Sequence, residues 1–227
     1  MKKMISLFAI LIMFAACKKD SALAPSTDNS STASVATDND PGMYAAIKIG
    51  KQVWMQKNLA ASRYRNGDTI PQVKDVAKWA KLTTGAWCWY NNDSATGAVY
   101  GKLYNWYAVN DPRGLAPTGW HVSSDADWDT LSTFLGKNAG GKLKDTGTIE
   151  AGTGLWHYQN KKATNKSGFT ALPGGTRGPD GTYFELIGYH GIWWTSTVRW
   201  LANSSGDILY GNVNDKRCGY SVRCLKD

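Results

Sequence analysis

Four large apolar residues recur at every second position on either side of a break in AAIKIGKQVWMQKNL, residues 45–59: Ile47, Ile49, Val53 and Met55. A period of two is typical of a β-strand with one buried face. Gly50 and Lys51 interrupt the alternation at its midpoint, and glycine favours the backbone conformations of tight turns. This stretch therefore predicts two short strands joined by a turn at Gly50-Lys51.

A helical period replaces the alternation in GWHVSSDADWDTLSTFLG, residues 119–136. Ser124 is a good helix N-cap, and Asp127 three positions later completes a capping box. The apolar residues that follow share one face, and Gly136 ends the helix. Acidic residues in a first turn are favoured by the helix dipole, so we interpret them as helix-stabilising and not as a cation site. A second short helix is predicted from Gly101 to Val109.

Short, aromatic-rich apolar runs separated by turn residues make up the C-terminal part of the chain. This pattern is typical of an irregular antiparallel sheet. Within GFTALPGGTR, residues 168–177, the Gly174-Gly175 pair predicts a turn. The predicted strands are Gly168 to Leu172, Tyr183 to Ile187, Ile192 to Ser196, Asp207 to Val213 and Tyr220 to Leu225.

The first sixteen residues have the organisation of an export signal. Lys2 and Lys3 precede an apolar run that is too short to span a bilayer, and small residues then lead to Cys17. This resembles a bacterial lipoprotein signal, in which cleavage precedes the cysteine and the cysteine is acylated with lipid such as palmitate. The alternative is an ordinary secretory signal with a chance cysteine.

The residues after Cys17 bear on where the protein is displayed. Lys18, Lys19 and Asp20 resemble the signal that sends lipoproteins of Bacteroidota to the outer face of the outer membrane. Residues 17–42 contain few large apolar side chains, so they predict a flexible tether. We therefore expect an outer-membrane lipoprotein, exposed at the cell surface and held by lipid at Cys17. Residues 43–227 are expected to form one domain.

The charge of the chain and its predicted export bear on the class of partner. Removal of residues 1–16 takes away Lys2 and Lys3 and leaves 24 basic against 18 acidic residues. The excess is spread along the chain and forms no basic block. Nucleic acid is not an expected partner, because the protein is predicted to be exported. Apart from the acylated Cys17, the chain has three cysteines, and an odd number in an oxidising compartment predicts one disulfide and one free thiol.

Several motifs in order resemble one family of exported domains. These motifs are YGKLYNWYAVNDPRGLAPTGWHVSSDADWDTL, GGKLKDTGT, ATNKSGFTALPGGTR, GYHGIWWTST and GYSVRCLKD. Together they are similar to the Fibrobacter succinogenes major paralogous domain, abundant in exported proteins of Bacteroidota and Fibrobacterota. The resemblance implies an α+β, C-type lectin-like fold: two short helices and an irregular antiparallel sheet with long loops, whose first and last strands meet.

The resemblance also implies a disulfide between the front half of the domain and the final strand. Cys224 lies at the family's second position. Relatives have the first cysteine before a P-x-G-W-H motif, where this chain has Ala116, so Cys88 is the substitute and Cys88–Cys224 the expected bridge. Cys218–Cys224 is the alternative, with Cys218 otherwise the free thiol.

A calcium site is a weaker expectation. Asn214 and Asp215, followed by Cys218 and Cys224, resemble the calcium-lectin signature W-N-D-x-x-C, and calcium prefers oxygen ligands of this kind. Val213 replaces the tryptophan of that signature, and no E-P-N or Q-P-D triplet precedes it. Because Asn-Asp is also a turn dipeptide, we expect no cofactor and keep calcium as the alternative.

Aromatic residues provide the other candidate site. An exposed platform could stack sugar rings, whereas an irregular sheet also needs large aromatics to fill its core. Trp193 and Trp194 are consecutive, so on a strand their side chains face opposite ways and one of them is expected in the core. The candidate ligand-binding residues are Trp156, Tyr183, Tyr189, Trp193, Trp194 and Trp200.

No catalytic residues are predicted. The histidines are scattered without metal-ligand spacing, and neither G-x-S-x-G nor a phosphate-binding loop is present. We therefore expect a lectin-like domain that binds extracellular glycan or protein, or mediates adhesion. The alternative hypothesis is a structural subunit of a cell-surface assembly that associates with itself. An enzyme is the third hypothesis.

Overall fold

The computed structural model describes residues 44–212 and 215–227. The predicted signal peptide, Cys17, the tether and Asn214 lie outside the described residues. Within the described ranges, no helix has the length and apolar character needed to cross a membrane.

The described chain is an α+β structure of short elements. Its strands are β1 (Ala46–Ile49), β2 (Gln52–Met55), β3 (Trp87–Cys88), β4 (Leu103–Tyr104), β5 (Trp120–Val122), β6 (Gly174–Arg177), β7 (Phe184–Ile187), β8 (His190–Trp194), β9 (Val198–Ala202), β10 (Leu209–Gly211) and β11 (Cys224–Lys226). Its helices are α1 (Val76–Trp79), α2 (Ser94–Tyr100), α3 (Trp106–Val109), α4 (Asp125–Leu135) and α5 (Ala139–Leu143). The sequence predicted two helices. The described residues contain five α-helices and one 3-10 helix, Tyr90–Asn92, because short helical segments are stabilised by tertiary packing.

The strands form several small antiparallel sheets. The largest has the order β1-β2-β11-β5, and a second has the order β10-β9-β8. Two further pairs are β3-β4 and β6-β7. Leu225 of β11 pairs with Trp54 of β2, so the last strand lies against the N-terminal hairpin.

The two clearest local predictions are confirmed. β1 and β2 form the hairpin about Gly50-Lys51, with Ile49 paired to Gln52. At the start of α4, the Ser124 hydroxyl accepts a hydrogen bond from the Asp127 N–H at 3.2 Å, and the Asp127 carboxylate accepts one from the Ser124 N–H at 2.8 Å. Each pattern is local, so it does not depend on the rest of the fold.

Strand β8 is buried on both faces. Trp193 packs against Trp128 of α4 in one hydrophobic cluster, with ring centroids 5.6 Å apart. Trp194 packs in a second cluster, where its ring centroid lies 4.7 Å from that of Tyr220. The sequence predicted that one of these two tryptophans is in the core. Both are, because both faces of this strand are covered.

The segment GFTALPGGTR is a buried scaffold with a different local structure from the prediction. Gly168 to Leu172 is a loop, in which Thr170 has φ 52°. Gly174-Gly175 is not a turn but the start of β6. A Cβ at Gly175 would lie 2.5 Å from the Glu185 carbonyl oxygen, so only glycine allows this approach of β6 to β7.

The other predicted elements are present with shifted ends. β7, β8, β10 and β11 correspond to the remaining predicted strands. The predicted helix from Gly101 begins later, as α3, because Leu103 and Tyr104 pair with β3.

Candidate functional site

Three of the predicted ligand-binding aromatics are core residues. Trp156, Trp193 and Trp194 are each 0% exposed. Their indole N–H groups donate to the Ala171 carbonyl, the Asn58 side-chain oxygen and the Tyr104 carbonyl, respectively. The prediction that they bind a ligand is wrong, because neither their faces nor their polar edges are open to solvent.

The other three predicted aromatics lie against different neighbours. Tyr183 is 42% exposed and covers Gly178. Tyr189 is 46% exposed and stacks on His157, with ring centroids 4.2 Å apart. Trp200 is half-buried against one of the hydrophobic clusters. They do not form the single platform that the sequence predicted.

The acidic member of the calcium candidate already has a cationic partner. One Asp215 carboxylate oxygen accepts from Arg217 Nε at 2.9 Å, and the other from a terminal nitrogen of the same guanidinium at 2.6 Å. These hydrogen bonds lower the pKa of Asp215. No group of three or more potential metal ligands occurs among the described residues.

The expected disulfide is absent from the described structure. Cys88, Cys218 and Cys224 are all free thiols and all buried. Cys88 lies in β3 and packs in one hydrophobic cluster, whereas Cys224 lies in β11, pairs with Val122 and packs in another. The Cys88–Cys224 pairing therefore joins residues that the fold places in separate sheets. Burial raises the pKa of both thiols to about 12.

A different group of residues forms a concave surface, which we call the Trp106 face. It consists of three adjoining depressions of about 390, 340 and 230 Å³. Lys216 lines all three, Trp106 lines two, and Tyr107 lines two. The segments that contribute to it are 80–85, 106–113, 196–197, 212 and 215–217.

Asn105 fixes the aromatic centre of the Trp106 face. This fully buried side chain caps α3 by accepting from the Ala108 N–H at 3.0 Å, and it also accepts from the Ala86 N–H at 2.9 Å. Its amide donates to the Thr84 carbonyl at 2.9 Å. One side chain therefore holds α3 against the 80–85 segment.

Two further contacts hold Trp106 in place. The backbone N–H of Trp106 donates to the Lys216 carbonyl at 2.9 Å, which ties α3 to the 215–217 segment. Beneath the surface, the Trp106 ring lies 5.4 Å from that of Trp194, centroid to centroid. Trp106 and Tyr107 are half-buried, so each ring presents part of its surface while the rest is packed.

The Trp106 face has an excess of positive charge. Its cations are Lys81, Arg113, Lys216 and Arg217, and its anions are Asp111 and Asp215. Arg113 pairs with Asp111 at 2.8 Å and lowers the pKa of that carboxyl to about 2, and Arg217 pairs with Asp215. The two exposed lysines therefore supply the net positive charge that a ligand meets.

Of the site residues predicted from the sequence, Asp215 is the one that lines the Trp106 face. Each depression combines α3 with a segment more than a hundred residues away, and spacing along the chain does not show such convergence. One local signal was present: Asn105 precedes the apolar run WYAV, as a helix N-cap does.

Comparison with known families assigns the chain to one of them. The profile of the Fibrobacter succinogenes major domain matches residues 47–226. The chain belongs to this family. No curated protein and no solved structure matches the chain.

The Fibrobacter succinogenes major domain therefore extends from β1 to β11 in this chain. Every residue of the Trp106 face lies inside the matched range, and so does the buried GFTALPGGTR segment. The surface is thus part of the domain itself.

Proposed function

We propose that this chain is a surface-exposed lipoprotein whose C-type lectin-like domain binds acidic glycans at the Trp106 face. The observation that carries the proposal is the combination of two half-exposed aromatic rings with a surplus of cations in one concave surface. The two larger depressions reach the volume range of small-molecule sites, about 300–1,000 Å³.

The chemistry of the surface fits a sugar. An aromatic ring offers an apolar face to the C–H side of a sugar ring, while its edge and its polar neighbours meet the hydroxyl groups. Ser196, Thr197 and Asn212 lie beside Trp106 and provide hydroxyl and amide groups. Lys81 and Lys216 add attraction for a carboxylate or sulfate on the sugar.

Two features support the lectin-like assignment within this proposal. The last strand pairs with β2, the second strand of the N-terminal hairpin, so the two ends of the domain lie in one sheet. The aromatic residues of the concave surface lie in α3 and its polar residues lie mostly in loops, not on the sheet faces. Attachment through an acylated Cys17 is the part of the proposal that rests on the N-terminal sequence alone.

Calcium is not required in this account. Both Asp215 carboxylate oxygens accept hydrogen bonds from Arg217, so a calcium ion would have to displace a guanidinium. Binding is therefore expected to be unchanged by a chelator.

A glycan array tests the proposal. The full chain is expected to bind acidic glycans equally with and without chelator, and Trp106→Ala to remove the signal. Tyr158→Ala is the matched control, because Tyr158 is 71% exposed and lies outside the three depressions. Circular dichroism confirms that each variant is folded. Absence of acidic-glycan binding, or equal loss in both variants, would contradict the proposal.

A further inference from the structure

A second cavity lies away from the Trp106 face and close to the start of β1. It has a volume of about 370 Å³ and is bounded by residues 44–45 just before β1, the segment after β2, α2 and the loop that follows Gly168. Its apolar lining consists of Tyr44, Ala45, Ala60, Ala98, Val99 and Leu172.

A buried cation also lines this cavity. Arg223 is 1% exposed, and its guanidinium donates to the Met55 and Phe169 carbonyls, each at 2.8 Å. It also donates twice to the Asn58 side-chain oxygen, at 3.1 and 2.9 Å. A guanidinium has five N–H groups. These four hydrogen bonds therefore leave one N–H for a ligand.

The charge of Arg223 is not balanced by a carboxylate at this cavity. Met55, Phe169 and Asn58 are neutral acceptors, and burial lowers the pKa of the Arg223 guanidinium. Lys57, which is exposed, also lines the cavity. The described lining residues include no Asp or Glu. A desolvated cation without an anionic partner is costly, so an anion in the cavity would be favoured.

We propose that this cavity binds a small apolar molecule carrying one carboxylate. The apolar part lies against Ala98, Val99 and Leu172, and the carboxylate pairs with Arg223 and Lys57. This is separate from glycan binding, because none of these residues lines the Trp106 face.

Hexanoate and 1-hexanol are the matched probes, since they differ in the anionic head group and share the apolar chain. The full chain is held in lipid nanodiscs, with empty nanodiscs as the blank, and binding is measured by calorimetry and saturation-transfer NMR. Hexanoate is expected to bind about tenfold or more tightly than 1-hexanol, because a hydrogen bond to a charged group is stronger than one to a neutral group. Equal binding of the two probes would overturn the proposal.

Two substitutions, each with a matched control, locate the site without changing Arg223. Ala98→Trp fills the cavity from the exposed side of α2 and is expected to abolish hexanoate binding, whereas Ala95→Trp on the same helix leaves it unchanged. Lys57→Ala is expected to weaken binding up to about fivefold, and the exposed Lys51→Ala not at all. Unchanged hexanoate binding in the Ala98→Trp variant would overturn the proposal.

The chain itself contains another source of carboxylates, Asp38 and Asp40, shortly before Tyr44. A variant with both changed to Asn separates the two sources. Hexanoate binding that appears only in this variant would mean that the chain's own carboxylates occupy the cavity, and the proposal of an external ligand would be overturned.

Discussion

Replacement of Asn105 by alanine tests how the Trp106 face is held together. The substitution removes the cap of α3, which contributes about 1 kcal/mol. It also leaves the buried Ala86 N–H without its acceptor at 2.9 Å, at a cost of about 1–3 kcal/mol. The Thr84 carbonyl belongs to an exposed residue and can be hydrated instead. Together these effects predict a loss of about 2–4 kcal/mol in the free energy of unfolding.

Urea unfolding followed by tryptophan fluorescence measures this loss. Asn110→Ala is the matched control, because Asn110 is exposed at the C-terminal end of the same helix. We expect a change within about 0.5 kcal/mol for it. Asn105→Ala should also weaken glycan binding under conditions where the protein remains folded, since Trp106 and Tyr107 lose their fixed position. A stability loss below about 1 kcal/mol, or one equal to that of the control, would refute the reasoning.

Two further predictions concern buried ionisable groups. Burial lowers the pKa of Lys144 from 10.5 to about 8. At a pH between these two values, Lys144 is therefore protonated in the unfolded chain and neutral in the folded chain. Urea unfolding of the native chain and of Lys144→Met measures the difference between their unfolding free energies. As the pH rises from 8 to 10.5, this difference should shift by about 3 kcal/mol in favour of the native chain. A difference that does not change with pH would contradict the prediction. A thiol reagent should not react with Cys88, Cys218 or Cys224 in the folded protein, because all three are buried. After denaturation without reductant, the reagent should detect three free thiols. A count of one would instead indicate a disulfide.

The sequence predicted those elements whose signals are local. The hairpin about Gly50-Lys51 and the capping box of Ser124 each depend on a few adjacent residues, and both are present. The family resemblance was also sufficient to assign the domain. These features follow from alternation, capping and motif order, which are properties of the chain itself.

Predictions that depended on the environment of a side chain were less successful. Trp193 and Trp194 are both buried because β8 is covered on two faces, which alternation along one strand does not show. Gly174-Gly175 starts a strand because β7 approaches its backbone closely. The Trp106 face was missed for the same reason, since its residues converge only in the folded domain.

Isothermal titration with an acidic oligosaccharide at two salt concentrations tests the central claim most directly. The Lys81→Ala/Lys216→Ala double variant should bind about tenfold more weakly than the native chain, which corresponds to about 1.4 kcal/mol. The difference should shrink at high salt, because exposed charges are screened. Lys137→Ala, an exposed lysine outside the three depressions, should bind like the native chain. Equal affinity of the double variant and the native chain at low salt would contradict glycan binding at the Trp106 face.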